Sequence, residues 1–284
     1  MKISTEISSA AKLVGEERAI ELYAKAGFDA WDFSMGAMAR YDWNAEAHIP
    51  SNHPLAGPEY REFAQRLRKI GEDNGIHCNQ SHAPFPTYCP EIRDYLKRAI
   101  ECTAIAGGDV CVIHPMNSAS LQENREMYME LLPFAREHGV RIATENMWEW
   151  DSVRKEACRA ACSHHNEFKA YMDAINDNHF VACLDIGHAE MRGLGTSAVE
   201  MIYALGDRLA ALHIHDNDRW QDRHQLPFTM DVDFEPIVKA LRDIGYGGYF
   251  TLEADRYLSG YKHDVYAGMQ NMASAARRLA KMLI

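Results

Sequence analysis

Short β-rich runs alternate with stretches of helical apolar spacing along the whole chain. Apolar clusters with period two or in continuous runs predict strands at residues 2–7, 30–33, 77–81, 110–114, 140–145, 180–185, 210–215 and 249–253. Between most of them the apolar positions recur every three to four residues, as a helix packed on a sheet requires. Phe234, Ile237, Val238, Leu241 and Ile244 form one such face, with Asp233 placed to cap its start and Gly245 to end it. Ala19, Ile20, Leu22, Tyr23 and Ala26 form another, closed by Gly27.

Strands separated by helices predict a parallel sheet joined by right-handed crossovers. Eight such units close into an α/β (β/α)8 TIM barrel. An open doubly wound sheet is the alternative. It is disfavoured because no GxGxxG follows the first strand and because polar residues recur at the strand C-termini, where a barrel builds its site. The length of 284 residues suits one barrel domain spanning 1–284, since such barrels take roughly 250 residues. No Pro/Gly/Ser linker, low-complexity tract or internal repeat interrupts the pattern. Two loops are long. Residues 35–58 carry Pro50, Asn52, Pro54 and Gly57 and are expected to be irregular, and residues 148–165 carry aromatics followed by charge. Both should lie over the catalytic face.

The apolar runs end on ionisable side chains. Strand three ends in His82, strand four in His114, strand five in Glu145, strand six in Asp185-Ile186-Gly187-His188, strand seven in His213-Ile214-His215-Asp216-Asn217, and strand eight in Glu253. A single histidine or carboxylate at a strand end is commonly structural. Six in succession converging on one axis would repel unless a cation lay between them. Carboxylates with an imidazole suit Mn²⁺, Mg²⁺ or Co²⁺, with Zn²⁺ the less expected choice.

Charge and cysteine use narrow the partners. The net charge of -11 disfavours nucleic acid. The seven cysteines form no CxxC pair. Cys111 and Cys183 lie in apolar runs, and Cys158 and Cys162 are expected on one helix face. This usage suits a reducing compartment. No apolar run approaches the ~20 residues of a membrane span, and the first strand begins almost at Met1. The expectation is a cytoplasmic enzyme without membrane contact, with homo-oligomerisation as the default assembly.

Ser81-His82-Ala83-Pro84-Phe85, Leu184-Asp185-Ile186-Gly187-His188-Ala189 and the segment from Leu212 to Glu253 together resemble the xylose isomerase-like TIM-barrel superfamily. That superfamily includes sugar-phosphate isomerase/epimerase-like proteins, ketose 3-epimerases and apurinic endonucleases. Similarity to the ketose epimerases implies Glu145, Asp185, His213 and Glu253 as metal ligands, with Glu145 and Glu253 as the acid/base pair. It implies His188 and Arg219 as substrate contacts, selects His213 over His215 as ligand, and leaves His215 beside the site. His82, His114 and Trp148 complete the expected substrate surround. The usual strand-two glutamate is replaced by Asp32, and the second glutamate after strand five has no clean match. Similarity to the apurinic endonucleases implies instead three zinc ions and phosphodiester cleavage, with His82, His114, His188, Asp222 and His224 as additional ligands. On the first resemblance, the substrate is a small ketose or sugar derivative, deprotonated to an enediolate and reprotonated. Phe85, Trp148, Trp150 and Trp220 follow strand ends and are candidates to stack on a sugar face.

Overall fold

The computed structural model describes residues 1–283. Its barrel strands are β1 (Ile3–Thr5), β2 (Ala30–Ser34), β3 (His77–His82), β4 (Val110–Val112), β5 (Arg141–Glu145), β6 (Phe180–Asp185), β7 (Leu209–His213) and β8 (Phe250–Leu252). The helices that cross between them are α1 (Glu16–Ala26), α2 (Tyr60–Asp73), α3 (Leu96–Ala106), α4 (Leu121–Glu137), α5 (His165–Ile175), α6 (Ala198–Leu205) and α7 (Phe234–Asp243), and α8 (Val265–Met282) follows β8. Strands β2 to β7 form one parallel sheet in chain order, and β1 pairs with β8. Parallel bridges from Glu6 to Asp32 and from Ile214 to Leu252 join the two pieces. The ring is therefore closed, as the alternating pattern predicts. Among the described residues no helix is long and apolar enough to cross a membrane.

Helix boundaries follow the local chemistry. The Asp233 carboxylate accepts the Glu235 N–H at the start of α7. That helix stops one residue earlier than expected, with Ile244 as cap and Gly245 beyond it at φ +71. Gly27 ends α1 in the left-handed region, at φ +100. Ser120 and Glu123 form a reciprocal capping box on α4.

Strand alternation builds the barrel interior. Val110 and Val112, Ala143, Val181 and Cys183, and Ala211 make one buried cluster inside the ring. Two residues further along their strands, Ala143 leads to Glu145, Cys183 to Asp185 and Ala211 to His213. A period of two puts these polar side chains on the inward face, one layer above the apolar one. A register shift opposite Trp31 and Asp32 makes Asn79 an extra residue in β3. Ser4 donates to Asn79, and the Asn79 amide donates to both Thr251 and Gln80, giving a polar layer inside the barrel.

The two long loops depart from expectation in the same way. Residues 35–58 contain an antiparallel hairpin, Arg40–Asp42 with Ala47–Ile49, and residues 148–165 contain another, Glu149–Asp151 with Glu156–Cys158. Cys158 thus ends a strand and Cys162 lies beyond it at φ +58, so the pair shares no helix. Each hairpin turns on an aspartate whose Oδ1 accepts two backbone N–H groups ahead of it, Asp42 from Asn44 and Ala45, Asp151 from Val153 and Arg154. Each returns through a left-handed residue, Glu46 or Lys155.

Gly71 gives a test of this packing. It faces inward from α2, and an added Cβ would sit 2.9 Å from both the Ile76 carbonyl oxygen and Trp31 Nε1. In an open helix Gly→Ala would stabilise by about 1 kcal/mol. Here Gly71→Ala is expected to destabilise by about 1–3 kcal/mol, because a backbone oxygen and a fully buried ring must shift. Urea unfolding measures it, and a midpoint at or above the wild-type value would contradict this account.

Candidate metal centre and substrate cavity

Glu145, Asp185, His213 and Glu253 arrive from β5, β6 and β7 and from the residue just past β8. Together they present ligand atoms all within 4.8 Å of one another. His213 Nδ1 lies 3.0 Å from Glu145 Oε1 and 3.6 Å from Glu253 Oε2. Its Nε2 lies 3.3 Å from Asp32 Oδ2. Asp32 in turn accepts from the Gln80 amide at 2.9 Å, and Gln80 Oε1 accepts from the Thr251 hydroxyl at 3.1 Å. This chain fixes the imidazole plane and leaves Nδ1 facing the carboxylates, the role that outer-shell partners play at metal sites. Asp32 therefore stands beneath His213 as its positioning carboxylate, a part the sequence left open.

The other strand-end residues form two further groups around the first. His82 and His114 join Glu145, with their Nε2 atoms 2.9 Å apart and His114 Nε2 3.2 Å from Glu145 Oε2. His188, His215, Asp222 and His224 form the other. Three of these rings are held in one tautomer by the backbone. Nδ1–H of His82 donates to the Ala83 carbonyl, that of His188 to Asn146, and that of His224 to Glu253. Each bond turns Nε2 of its ring toward the carboxylates. Asn146 clamps the Asp185 backbone by both its N–H and its carbonyl, and the Asp185 carboxylate caps the short helix Ile186–Ala189 through His188 N–H. Gly187 is obligatory in that turn, because a Cβ there would overlap the His215 ring.

The electrostatics are those of a site built around positive charge. Burial disfavours the Glu145 carboxylate, but His213, His114 and His82 outweigh it and hold its pKa well below the usual range. Burial likewise opposes Asp222, which His188 and His224 nevertheless hold far below normal. Asp185 is lowered in the same way by His188 and His215. Burial opposes charge on His188 too, and Asp185 and Asp222 raise it well above its ordinary value. Glu253 differs. Burial pushes it up to about 8, with His213 and His224 only partly offsetting. Burial and the neighbouring His82 press His114 down to about 4. Glu145 Oε2, Asp185 Oδ2, Asp222 Oδ1 and His215 Nε2 are buried without any hydrogen-bond partner among the described residues. Orphaned buried oxygens and imidazole nitrogens are costly unless something coordinates them. The donor set of carboxylate oxygens and imidazole nitrogens therefore fits a divalent metal.

A cavity of about 1140 Å³ opens onto this layer. His82, His114, Glu145, His188, Asp222, His224 and Glu253 line its floor, and Phe85, Trp148 and Trp150 its walls, as the sequence suggests. Trp43 and Tyr88, which the sequence did not single out, also line it. Three expected contacts fall elsewhere. Arg219 turns its guanidinium onto Glu190 at 3.1 Å and does not line the cavity. The cation that does is Arg256. Trp220 lies under the Arg192 guanidinium, 4.6 Å from it. His215 is fully buried, 3.1 Å from Asp185 Oδ1 and 3.3 Å from Asp222 Oδ1, and does not line the cavity.

Comparison with known proteins agrees with this architecture. An uncharacterized protein of Methanocaldococcus jannaschii is 26% identical over 238 residues, covering 78% of each chain. The IolI protein crystallised with a zinc atom superposes with a TM-score of 0.76 at 16% identity, over 100% of this chain and 99% of that one. A D-psicose 3-epimerase crystallised in the presence of D-fructose superposes with a TM-score of 0.70 at 18% identity, over 98% and 99%. The family model described as xylose isomerase-like TIM barrel matches residues 20–282, so the chain belongs to that family.

Proposed function

We propose that this protein is a divalent-metal-dependent isomerase or epimerase that moves a proton on a small ketose or related sugar through an enediolate. The observation that carries the reading is the pair Glu145 and Glu253. They converge from β5 and the end of β8 on the same point as Asp185 and His213, and both line the cavity. Glu145, Asp185, His213 and Glu253 would hold the ion, which supplies Lewis acidity to make a carbon-bound proton beside a carbonyl removable. Mn²⁺, Mg²⁺ or Co²⁺ suits the three carboxylates, and Zn²⁺ remains compatible with the set.

The chain's own residues supply the rest. Glu145 is held ionised by its imidazole neighbours, and Glu253 would be ionised likewise on ligating the ion. Arriving from β5 and from the end of β8, one glutamate would take the carbon-bound proton and the other return one. Return of the proton to the opposite face is epimerisation, and return to the adjacent carbon is aldose–ketose isomerisation. Trp148, its ring centroid 6.4 Å from His188, walls the same floor. The likeness to an epimerase crystallised with D-fructose supports a sugar substrate.

A metal-dependent phosphodiester hydrolase is the second reading. The observation that favours it is the presence of two further groups, His82–His114–Glu145 and His188–His215–Asp222–His224, which a single ion does not require. Against it stand the net charge of -11 and a cavity whose lining holds one cation outside the histidines, Arg256. Elemental analysis separates the two. One Mn²⁺ or Co²⁺ per chain is expected, whereas three zinc ions would turn the assignment to the hydrolase.

The acid/base pair predicts that Glu145→Gln and Glu253→Gln each lower deuterium exchange of candidate ketoses in D2O by about 10²–10⁴-fold. Exchange at the wild-type rate in either variant, with metal bound, removes that residue from the proton transfer. The ladder beneath His213 predicts that Asp32→Ala weakens metal binding by about 10–100-fold without contacting the ion. Metal titration reads this directly, and an unchanged dissociation constant would leave Asp32 with no positioning part.

A further inference from the structure

The floor of the cavity accounts for a reacting sugar carbon, but the volume above it is unassigned. At about 1140 Å³ it exceeds the roughly 300–1,000 Å³ that encloses ligands of drug size, and a monosaccharide is smaller than those. The upper walls have an unusual composition. Four large aromatic side chains line them while staying open to water: Trp43 is 59% exposed, Tyr88 51%, Trp150 45% and Phe85 39%. Exposed aromatic surface gathered on one cavity marks a binding surface.

The wall is built, not incidental. Phe85 stacks on the His114 ring at 4.8 Å, so the aromatic lining starts at the ligating layer. Further out, Tyr41 packs edge-on against both Trp43, at 5.0 Å, and Tyr88, at 5.9 Å, and the Tyr88 hydroxyl donates to the Tyr41 hydroxyl at 3.3 Å. Trp150 is carried in from the other side by the second hairpin. The two hairpins in the β2–α2 and β5–α5 loops thus each bring a tryptophan to one mouth. Asn117, Ser118 and Glu149 line the same cavity, with the Ser118 hydroxyl donating to Glu149 at 3.3 Å. Flat aromatic faces sharing one cavity with amide, hydroxyl and carboxylate groups match a ring with axial C–H bonds on one face and hydroxyls at its rim.

We infer that Trp43, Tyr88 and Trp150 form an outer subsite for a second pyranose ring, so that the substrate is a glycosylated ketose and not a free monosaccharide. This rests on the sugar isomerase reading above and names its substrate class. The reacting ketose unit sits on the histidine–carboxylate floor, and the attached glycosyl unit stacks between the two hairpins. Because the tryptophans are exposed, their replacement leaves the barrel packing intact.

The test compares binding of D-fructose with that of isomaltulose, maltulose and lactulose, by calorimetry on the Mn²⁺-loaded protein. At least one of the disaccharides should bind about tenfold tighter than D-fructose. Trp43→Ala and Trp150→Ala should each weaken that disaccharide by about three- to tenfold, the range for one lost aromatic contact, while changing D-fructose affinity by less than about twofold. If no disaccharide outbinds D-fructose, or if both variants weaken the two sugars equally, the outer subsite is ruled out. Binding requires no proton transfer. Tight disaccharide binding without deuterium exchange would therefore sink the proposed reaction while upholding the subsite.

Discussion

The structure depends on one constraint: carboxylates and imidazoles cannot be crowded into the dry end of a barrel unless their charges and lone pairs are matched. Glu145, Asp185, His213 and His215 are essentially buried, and Asp222, His224 and Glu253 nearly so. An isolated buried carboxylate would surrender its charge. Here the groups are so interleaved that each carboxylate faces at least one imidazole. Several donor atoms still remain without a partner. The arrangement is costly as bare protein and would become favourable with a cation bound in it.

The barrel geometry turns this constraint into a sequence rule, which is why so much of the site could be read from the chain. Each strand has an inward face of period two, and the step from Ala143, Cys183 or Ala211 to Glu145, Asp185 or His213 is the step from the apolar filling to the polar rim. A run of apolar residues that stops on an ionisable one marks both the strand end and the inward direction. Strands β3 to β8 were marked this way, and so were most of the histidines and carboxylates that gather at the barrel end. Asp32 was visible as a residue, but its contact with His213 depends on the register between β2, β3 and β7. The extra residue at Asn79 shifts that register, and no local pattern announces it.

What the chain concealed has physical causes. The two loop hairpins have strands of three residues, too short for an alternation to register. Their left-handed positions are filled by Glu46 and Lys155, where a glycine would have signalled a turn. Cys158 and Cys162 looked like a helix face because spacing of four is all a short segment offers. Arg219 was misplaced for a different reason. Its spacing from His213 matches what the resemblance to ketose epimerases implies, but Glu190, buried nearby, offers a carboxylate that holds the guanidinium instead. Ion-pair competition of this kind is decided by three-dimensional neighbours and cannot be read along the chain.

The same hairpins show how one barrel layer can keep its chemistry while its specificity changes. The floor is fixed by strands, by backbone bonds to His82, His188 and His224, and by a glycine at 187 that leaves room for His215 and no more. A substitution there disturbs several of these buried side chains at once. The walls hang on turns closed by single aspartates, Asp42 and Asp151, and their aromatic side chains point into water and cavity alike. Exchanging Trp43 or Trp150 would perturb none of the floor side chains and little packing. A rigid floor under an adjustable wall separates what the reaction needs from what the substrate needs. On the proposed reading, the substrate is to be sought in the loops after β2, β3 and β5, and the reaction in the strand ends.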